Sequence, residues 1–215
     1  MSRVGTALVV IAVSLCVVPA ISAQEPPPRI GLFVVDVRAT FPSFSDDAQL
    51  AASRALNQAE LPGVGLGVSG GAHVYLPKLG PITIGVGGEA LIARSRFVPP
   101  DTAGQTLRAV TERFTTAAPQ LSLNFGNGNG WSYLSAGIGR AKLSIVPDGA
   151  DPLPVDETSI RAINYGGGAR WFAKKHLAVS LDVRLYELDG TPPYGTLPGS
   201  PRMVLLVISG GIATR

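Results

Sequence analysis

The chain has 215 residues, which suits one domain after a short leader, and it contains 26 glycines and one cysteine, Cys16. Its formal net charge is +3, and its basic residues are scattered, so the continuous basic surface of a nucleic-acid-binding protein is not indicated. A single cysteine excludes an intramolecular disulfide and a metal site built from several cysteines.

The first 23 residues have the pattern of a secretory signal peptide. Arg3 gives a positive start, residues 4–18 form an apolar run, and the small residues of Ile21-Ser22-Ala23 provide a cleavage site. We therefore predict export, with residues 1–23 removed and residues 24–215 forming one mature domain without a thiol.

Two other interpretations of the leader are weaker. A membrane anchor helix is disfavoured because the apolar run is shorter than about 20 residues and ends at Pro19. Lipid attachment at Cys16 is disfavoured because Leu15 occupies a position where such sites resemble a pattern with a small residue.

Eight strand-length segments follow, in which apolar side chains alternate with small or polar ones. They cover residues 29–40, 63–76, 82–94, 110–125, 131–146, 160–172, 177–186 and 203–214. The seventh has the clearest alternation. In the fourth, Pro119 predicts a bulge or an end of pairing, because proline cannot donate to a ladder.

Long polar connections alternate with tight turns between these strands. The long ones are 41–62, 96–109, 148–158 and 189–201, and the short ones are 76–81, 127–130 and 173–176. Within the first long connection we predict a short helix capped by Ser45, with Asp46 and Asp47 in its first turn.

The face opposite the apolar one is mostly Gly, Ala and Ser, which suits the narrow lumen of an eight-stranded barrel better than the solvent-exposed face of a soluble β-sandwich. We therefore predict an all-β fold: a closed eight-stranded antiparallel transmembrane β-barrel of up-and-down topology. Closure would also protect glycine-rich strands from exposed edges.

A few charged residues share this inward face, with both signs present, and we predict that they pair across the lumen. They are Asp36, Arg38, Glu89, Asp182 and Arg184. The alternative is that several of them lie at a solvated rim of the barrel.

Aromatic residues lie near the ends of the strands, which is typical of the two interfacial belts of membrane barrels. Beside the short turns are Phe125, Trp131, Tyr133, Trp171 and Phe172, and near the long connections are Phe41, Phe97, Tyr186 and Tyr194. The alternative is ordinary core aromatics at strand ends.

The passage from 166 to 188, GGGARWFAKKHLAVSLDVRLYEL, combines a glycine-rich strand ending in aromatics, a tight turn and a strictly alternating return strand. This hairpin, with the pattern of the mature chain, resembles the small outer-membrane β-barrel proteins of Gram-negative bacteria, the OmpA/OmpX/OmpW-like group. The resemblance implies that short turns face the periplasm and that four long loops face outward. One departure is the ending Gly211-Ile212-Ala213-Thr214-Arg215, since family members often end in an aromatic residue.

Some barrels of this size resemble lipid A deacylases or acyltransferases, which need a histidine near a nucleophile or carboxylate. The chain has two histidines, and we predict a hydrogen-bonded lumen position for His73 and a solvated turn for His176. Neither is expected to be catalytic.

Two charged clusters lie at the long connections. Asp148, Asp151, Asp156 and Glu157 offer oxygen ligands for a divalent cation, but their spacing matches no calcium loop, and a solvated acidic loop is the preferred interpretation. Arg94, Arg96 and Arg108 border another long connection, where they could meet lipopolysaccharide phosphates or be ordinary rim residues.

The sequence therefore predicts a non-enzymatic outer-membrane barrel with a structural or loop-mediated binding role, monomeric, in contact with lipopolysaccharide and phospholipid, and without cofactor or metal. A narrow channel or carrier for small or apolar molecules is the first alternative. A soluble periplasmic ligand-binding barrel is the second.

Overall fold

The computed structural model describes residues 29–100 and 108–215. Its strands are β1 (Phe33–Ser43), β2 (Leu66–Tyr75), β3 (Ile82–Phe97), β4 (Val110–Asn127), β5 (Gly130–Pro147), β6 (Ile160–Lys174), β7 (Leu177–Leu188) and β8 (Met203–Thr214). Between the strands lie α1 (Ala48–Ala52), a 3₁₀ helix (Gln58–Glu60) and α2 (Pro154–Glu157). The predicted signal peptide and Cys16 fall outside the described residues. In the described ranges, no helix is long and apolar enough to span a membrane.

Each strand pairs antiparallel with its neighbours in sequence, and β1 also pairs with β8, so the sheet closes into an eight-stranded up-and-down barrel. The predicted fold class and strand number are confirmed. Several strands are longer than predicted, and β4 and β5 have 18 residues each.

The stagger of the barrel follows from its hydrogen-bond register. Paired residues can be followed from strand to strand once around the barrel, starting at Ile82 on β3. The path passes through Phe125, Ser132, Ala169, Leu181, Gly210, Ala39, Val68 and Ile92. The path leaves β3 at Ile82 and returns to β3 ten residues further on, at Ile92. With usual strand spacings, this stagger corresponds to strands tilted by about 40° from the barrel axis.

Between the two ends of the barrel, the outward face is mostly apolar. Val37, Leu181 and Ile208 are each about half exposed, and they alternate with buried polar residues along their strands. From Ile82 to Ile92 on β3, the apolar band has a height of about 25 Å, which matches the apolar band of an outer-membrane barrel. A soluble barrel would place its apolar side chains inside instead.

Two local predictions need correction. The cap of α1 is Asp47 and not Ser45, because the Asp47 carboxylate accepts from the backbone N–H groups of Gln49 and Leu50 at 2.8 and 3.0 Å. Pro119 causes no bulge, because it pairs in register with Gly88 of β3; its ladder with β5 is interrupted at Ala118 and Pro119 but keeps one register on either side of them. Among the described strands, the one register shift lies between Phe172 and Lys174.

The lumen is filled by three layers of side chains. At the short-turn end, an aromatic layer contains Val34, Tyr75, Trp131, Tyr133, Ala178 and Ala213. At the long-loop end, an apolar layer includes Phe44, Leu50, Leu61, Phe114, Ile145 and Leu205. Between them lies a layer of charged residues.

Candidate functional site

The middle layer of the lumen, here called the charged layer, consists of three arginines and three carboxylates. Its members are Asp36, Arg38, Glu89, Arg170, Asp182 and Arg184, and every one of these residues is buried. Because the charges are equal in number, the layer is neutral as a whole. Neutrality matters here, since an uncompensated charge would be costly at this depth.

Arg38 lies at the centre of the charged layer and contacts all three carboxylates. Its Nε lies 3.1 Å from Asp36 Oδ1, and its Nη1 lies 3.2 Å from Asp182 Oδ2. Its Nη2 donates to Glu89 Oε2. One guanidinium on β1 therefore links strands β1, β3 and β7 across the lumen.

The other two arginines complete the layer. Arg184 Nη2 lies 3.1 Å from Asp182 Oδ2, and its Nε lies 3.5 Å from Glu89 Oε1. Arg170 Nη2 donates to Asp36 Oδ2 at 2.6 Å, and its guanidinium lies 4.3 Å from the centre of the Tyr133 ring. Each carboxylate thus has at least two arginine partners.

Neutral side chains supply further hydrogen bonds to the charged layer, although Arg170 Nε and Asn164 Nδ2 have no hydrogen-bond partner among the described residues. Tyr133 donates to Asp182 and Tyr186 donates to Glu89, both at 2.7 Å. Arg184 donates to Asn164 Oδ1 at 2.9 Å and to Ser135 Oγ at 2.7 Å. These bonds fix the side chains in one arrangement and leave the layer closely packed.

Glycines make room for this packing. A Cβ on Gly168 would lie 2.6 Å from the Tyr133 hydroxyl, and one on Gly211 would lie 2.9 Å from Arg38 Cγ. Both glycines point into the lumen beside the charged layer. Part of the glycine content of the chain therefore provides space for large inward side chains on neighbouring strands.

All five charged residues that the sequence assigned to the lumen are brought together, and none of them lies at the rim. Arg170 was missed. Without it the assigned set of three carboxylates and two arginines carries one unbalanced negative charge, and this imbalance points to a further cation. Trp171 on the outward face of β6 places its neighbour Arg170 inside.

The aromatic belt prediction requires correction for the side chains that turn inward. Phe125 and Trp171 do point outward, with 39% and 53% of their surfaces exposed. Trp131 and Tyr133 are 3% and 4% exposed and lie inside the lumen, so they do not belong to an outward belt. Phe172 packs against Trp131, with ring centroids 5.2 Å apart.

The same parity separates two aromatics near the long loops. Phe41 on β1 is half exposed, whereas Tyr186 on β7 is buried at the charged layer. Tyr194 is also half exposed, but it lies in the last long connection, outside the strands. Alternation along each strand, and not nearness to a turn, decides which aromatic side chain points outward.

The histidines lie toward the short-turn end of the barrel. His73 points inward as predicted, but neither ring nitrogen has a hydrogen-bond partner among the described residues, which corrects the expected hydrogen bond. Its ring packs over Gly87 on β3. His176 lies exposed in the β6–β7 turn, where Nδ1 is 3.0 Å from the Arg215 carbonyl oxygen.

The acidic connection between β5 and β6 does not form a cluster of oxygen ligands. Asp148 pairs with Arg96 on the outer surface. Asp156 is buried and accepts from Arg54 Nε at 2.9 Å and from the Leu153 N–H at 3.0 Å. Over residues 29–100 and 108–215, no group of three or more metal-ligating side chains is present.

The Arg54–Asp156 pair joins the first and third long connections above the apolar layer. α1 carries Arg54 just beyond its end and buries Leu50 and Ala51 in that layer. α2 contains Asp156, whose second oxygen caps its own first turn. The long-loop end is therefore covered by packed chain, a feature that the sequence did not reveal.

A closed sheet with an apolar outer wall and a filled lumen that holds a charged layer defines the class of small eight-stranded outer-membrane β-barrels. No protein-family model matches the sequence, and no curated protein matches it. Similarity is found among solved structures.

Three solved barrels illustrate this similarity, and the first supports the fold. Neisserial surface protein A is 11% identical with a TM-score of 0.53, covering 86% of this chain and 97% of that one. Ail of Yersinia pestis, in complex with the heparin analogue sucrose octasulfate, is 11% identical with a TM-score of 0.45, covering 84% and 98%. The outer membrane protein OprG from Pseudomonas aeruginosa is 10% identical with a TM-score of 0.45, covering 87% and 97%.

Proposed function

We propose that this protein is a non-enzymatic integral outer-membrane barrel with a filled lumen, which strengthens the envelope and presents its long connections to partners outside the cell. In this proposal residues 1–23 direct export, and the short turns face the periplasm.

The filled lumen is the observation that supports this function best. The aromatic layer, the charged layer and the apolar layer follow one another along the barrel axis, and the Arg54–Asp156 pair ties loops together above them. A solute would have to displace buried ion pairs to pass through. Such displacement is costly, because each separated charge would lose its partner in a poorly hydrated interior.

The outer surface supports the membrane location. The apolar band leaves side chains such as Leu66, Ile92 and Ile138 exposed by more than 60%, and lipid acyl chains would cover them. Phe33, Phe125 and Trp171 point outward at the short-turn end, where a bilayer interface favours aromatic rings.

Accessibility labelling in a Gram-negative host tests both location and orientation. After removal of the leader the chain has no cysteine, so single cysteines can be placed at Thr196, in the last long connection, and at Lys175, in a short turn. Both positions are exposed. We expect a membrane-impermeant maleimide to label Thr196→Cys on intact cells and Lys175→Cys only after the outer membrane is opened.

Fractionation and gel electrophoresis of cold and boiled samples complete the test. We expect both variants in the outer membrane, with a mobility shift on boiling, because a closed barrel resists detergent until heated. Labelling of Lys175→Cys alone on intact cells would reverse the proposed orientation. A soluble protein without a shift would contradict the proposed location.

A further inference from the structure

Six basic side chains lie on the outward face of four consecutive strands, near their long-loop ends. They are Arg94 and Arg96 on β3, Arg113 on β4, Arg140 and Lys142 on β5, and Arg161 on β6, and all six are exposed. We call this set the basic girdle. From the sequence, only Arg94 and Arg96 among these six were recognised as part of a basic cluster, together with Arg108.

The register places the six residues of the girdle within a narrow range of height along the barrel axis. Each step from β3 toward β6 rises by about 3 Å along the barrel axis, as the ten-residue stagger and the tilt require. Because Arg94 pairs with Arg113, and Ala117 pairs with both Ala90 and Arg140, the six positions fall within roughly 9 Å of height. This level is directly above the apolar band.

The girdle is concentrated on one side of the barrel; beyond it, Arg202, directly before β8, is also exposed and is paired with Asp189 at 3.6 Å. At the same level, the outward residues of the other four strands are Glu187, Val204, Ser43 and Leu66. None of these four is basic, and one is acidic. An ordinary basic rim would continue around the barrel, so this asymmetry marks a local surface.

Like charges face each other directly within the girdle. Arg94 is paired with Arg113 across β3 and β4, and Arg140 is paired with Arg161 across β5 and β6. Like charges directly opposite on a sheet are destabilising, because their Cβ atoms lie about 5 Å apart. An anion between them would reverse the sign of the interaction.

Few acidic side chains neutralise these cations. Asp148 pairs with Arg96, and Asp189 pairs with Arg161 at 3.1 Å. Within the part of the chain that the structure describes, Arg94, Arg113 and Arg140 have no ion-pair partner.

A cleft lies in the first half of the girdle. It has a volume of about 330 Å³ and is lined by Arg94, Arg96 and Arg113, by the hydroxyl-bearing Thr111 and Ser144, and by Asp148, which is paired with Arg96. Because Asp148 already accepts from Arg96, the guanidinium groups of Arg94 and Arg113 and the two hydroxyls are the donors that phosphate oxygens could accept here in several bonds at once.

We propose that the basic girdle binds the phosphate groups of a phosphorylated glycolipid of the outer leaflet, with its acyl chains on the apolar band below. The inference rests on the proposed membrane location. Charge complementarity selects phosphate, and the adjoining apolar wall selects a lipid over a free anion. Several neighbouring arginines at a membrane surface also bind an anionic headgroup more strongly than one isolated basic residue does, because their contributions add.

The test uses purified, detergent-solubilised barrel and three ligands. These are lipid A with two phosphates, the same lipid A after enzymatic dephosphorylation, and inorganic pyrophosphate. The girdle variant is Arg94→Gln/Arg113→Gln/Arg140→Gln. The matched control is Lys78→Gln/Lys174→Gln/Lys175→Gln, which removes the same charge from exposed residues of the short-turn end.

We expect the wild type and the control variant to bind bisphosphorylated lipid A with affinities that agree within about twofold. The girdle variant should bind about a hundredfold more weakly, at roughly 1 kcal/mol for each basic residue removed at the surface. Dephosphorylated lipid A and pyrophosphate should each bind at least about tenfold more weakly than bisphosphorylated lipid A.

Equal affinity for the two forms of lipid A, equal affinity of the girdle and control variants, or equal binding of pyrophosphate and lipid would each overturn the inference. All three proteins are first shown to be folded by their mobility shift on boiling. A failure to bind in a folded barrel therefore contradicts the girdle proposal alone, whereas the labelling experiment tests the location separately.

Discussion

Replacing Arg38 by methionine removes the central cation of the charged layer. Arg38 is 3% exposed and contacts Asp36, Glu89 and Asp182, so its loss leaves three buried carboxylates with two arginines. Removing one partner of a buried ion pair costs about 3–5 kcal/mol, because the remaining charge stays buried without compensation. We expect Arg38→Met to reduce the free energy of unfolding by this amount.

A second variant separates the loss of charge balance from the loss of shape. In Arg38→Met/Glu89→Gln the charged layer is neutral again, and the new amide oxygen can still accept from Tyr186, as the Glu89 carboxylate does at 2.7 Å. We expect this double variant to be more stable than Arg38→Met by about 1–3 kcal/mol. If Arg38→Met fails to fold, the double variant should still fold.

The matched control removes an arginine from an exposed pair. Arg161 and Asp189 form an ion pair whose side chains are 56% and 36% exposed, so Arg161→Met should change stability by no more than about 1 kcal/mol. Urea unfolding of the barrel in phosphatidylcholine vesicles, followed by tryptophan fluorescence, measures all three variants. An Arg38→Met effect as small as that of Arg161→Met would refute the structural role of the charged layer.

Three further outcomes follow from other contacts. Arg215→Ala should lower the temperature at which the folded barrel is lost in the gel assay. Arg215 Nε donates to the Lys175 carbonyl oxygen at 2.9 Å, and its guanidinium lies over the Phe172 ring. An unchanged temperature would mean that these contacts do not stabilise the short turns. Glu112→Gln should leave the free energy of unfolding unchanged or raise it by about 1–3 kcal/mol, since this fully buried carboxylate has no hydrogen-bond partner in the described ranges. A clear loss of stability in urea unfolding would contradict the unpaired state of the carboxylate. Brominated lipid should quench the fluorescence of Trp131→Phe, which retains outward Trp171, more than that of Trp171→Phe, and equal quenching would contradict the inward position of Trp131.

The fold could be predicted because one physical pattern repeats along the chain. On β7, strict alternation separates Val179, Leu181 and Val183 from Ser180 and Asp182, and the structure places the first set outward and the second inward. Period-two alternation depends only on the pleat of a strand, so it can be recognised before any long-range contact is known. The turns between strands then fix the order of pairing.

The interior was less accessible to this reasoning. On β5, outward Leu134 and Ile138 share one parity, and Trp131 and Tyr133 have the other, so parity would have placed both aromatics in the lumen. The sequence interpretation grouped them by nearness to turns instead. Arg170 was missed because the glycine-rich strand β6 shows little alternation around it.

The closure of the long-loop end depends on tertiary contacts, which produce no periodic pattern in the sequence. Leu50 on α1 is buried in the apolar layer, and Arg54 meets Asp156 from a connection 102 residues away in sequence. Local sequence suggests a short helix but gives no direction for it. Only the assembled barrel shows that the helix covers the lumen.

Conductance across a planar lipid bilayer tests the central claim most directly, because it measures whether the lumen is sealed. Barrel that shows the mobility shift on boiling is inserted in concentrated potassium chloride under an applied voltage. The three filled layers predict a baseline current without stable unitary steps. Reproducible unitary conductance from the wild-type barrel would contradict the sealed lumen and would favour a narrow channel instead.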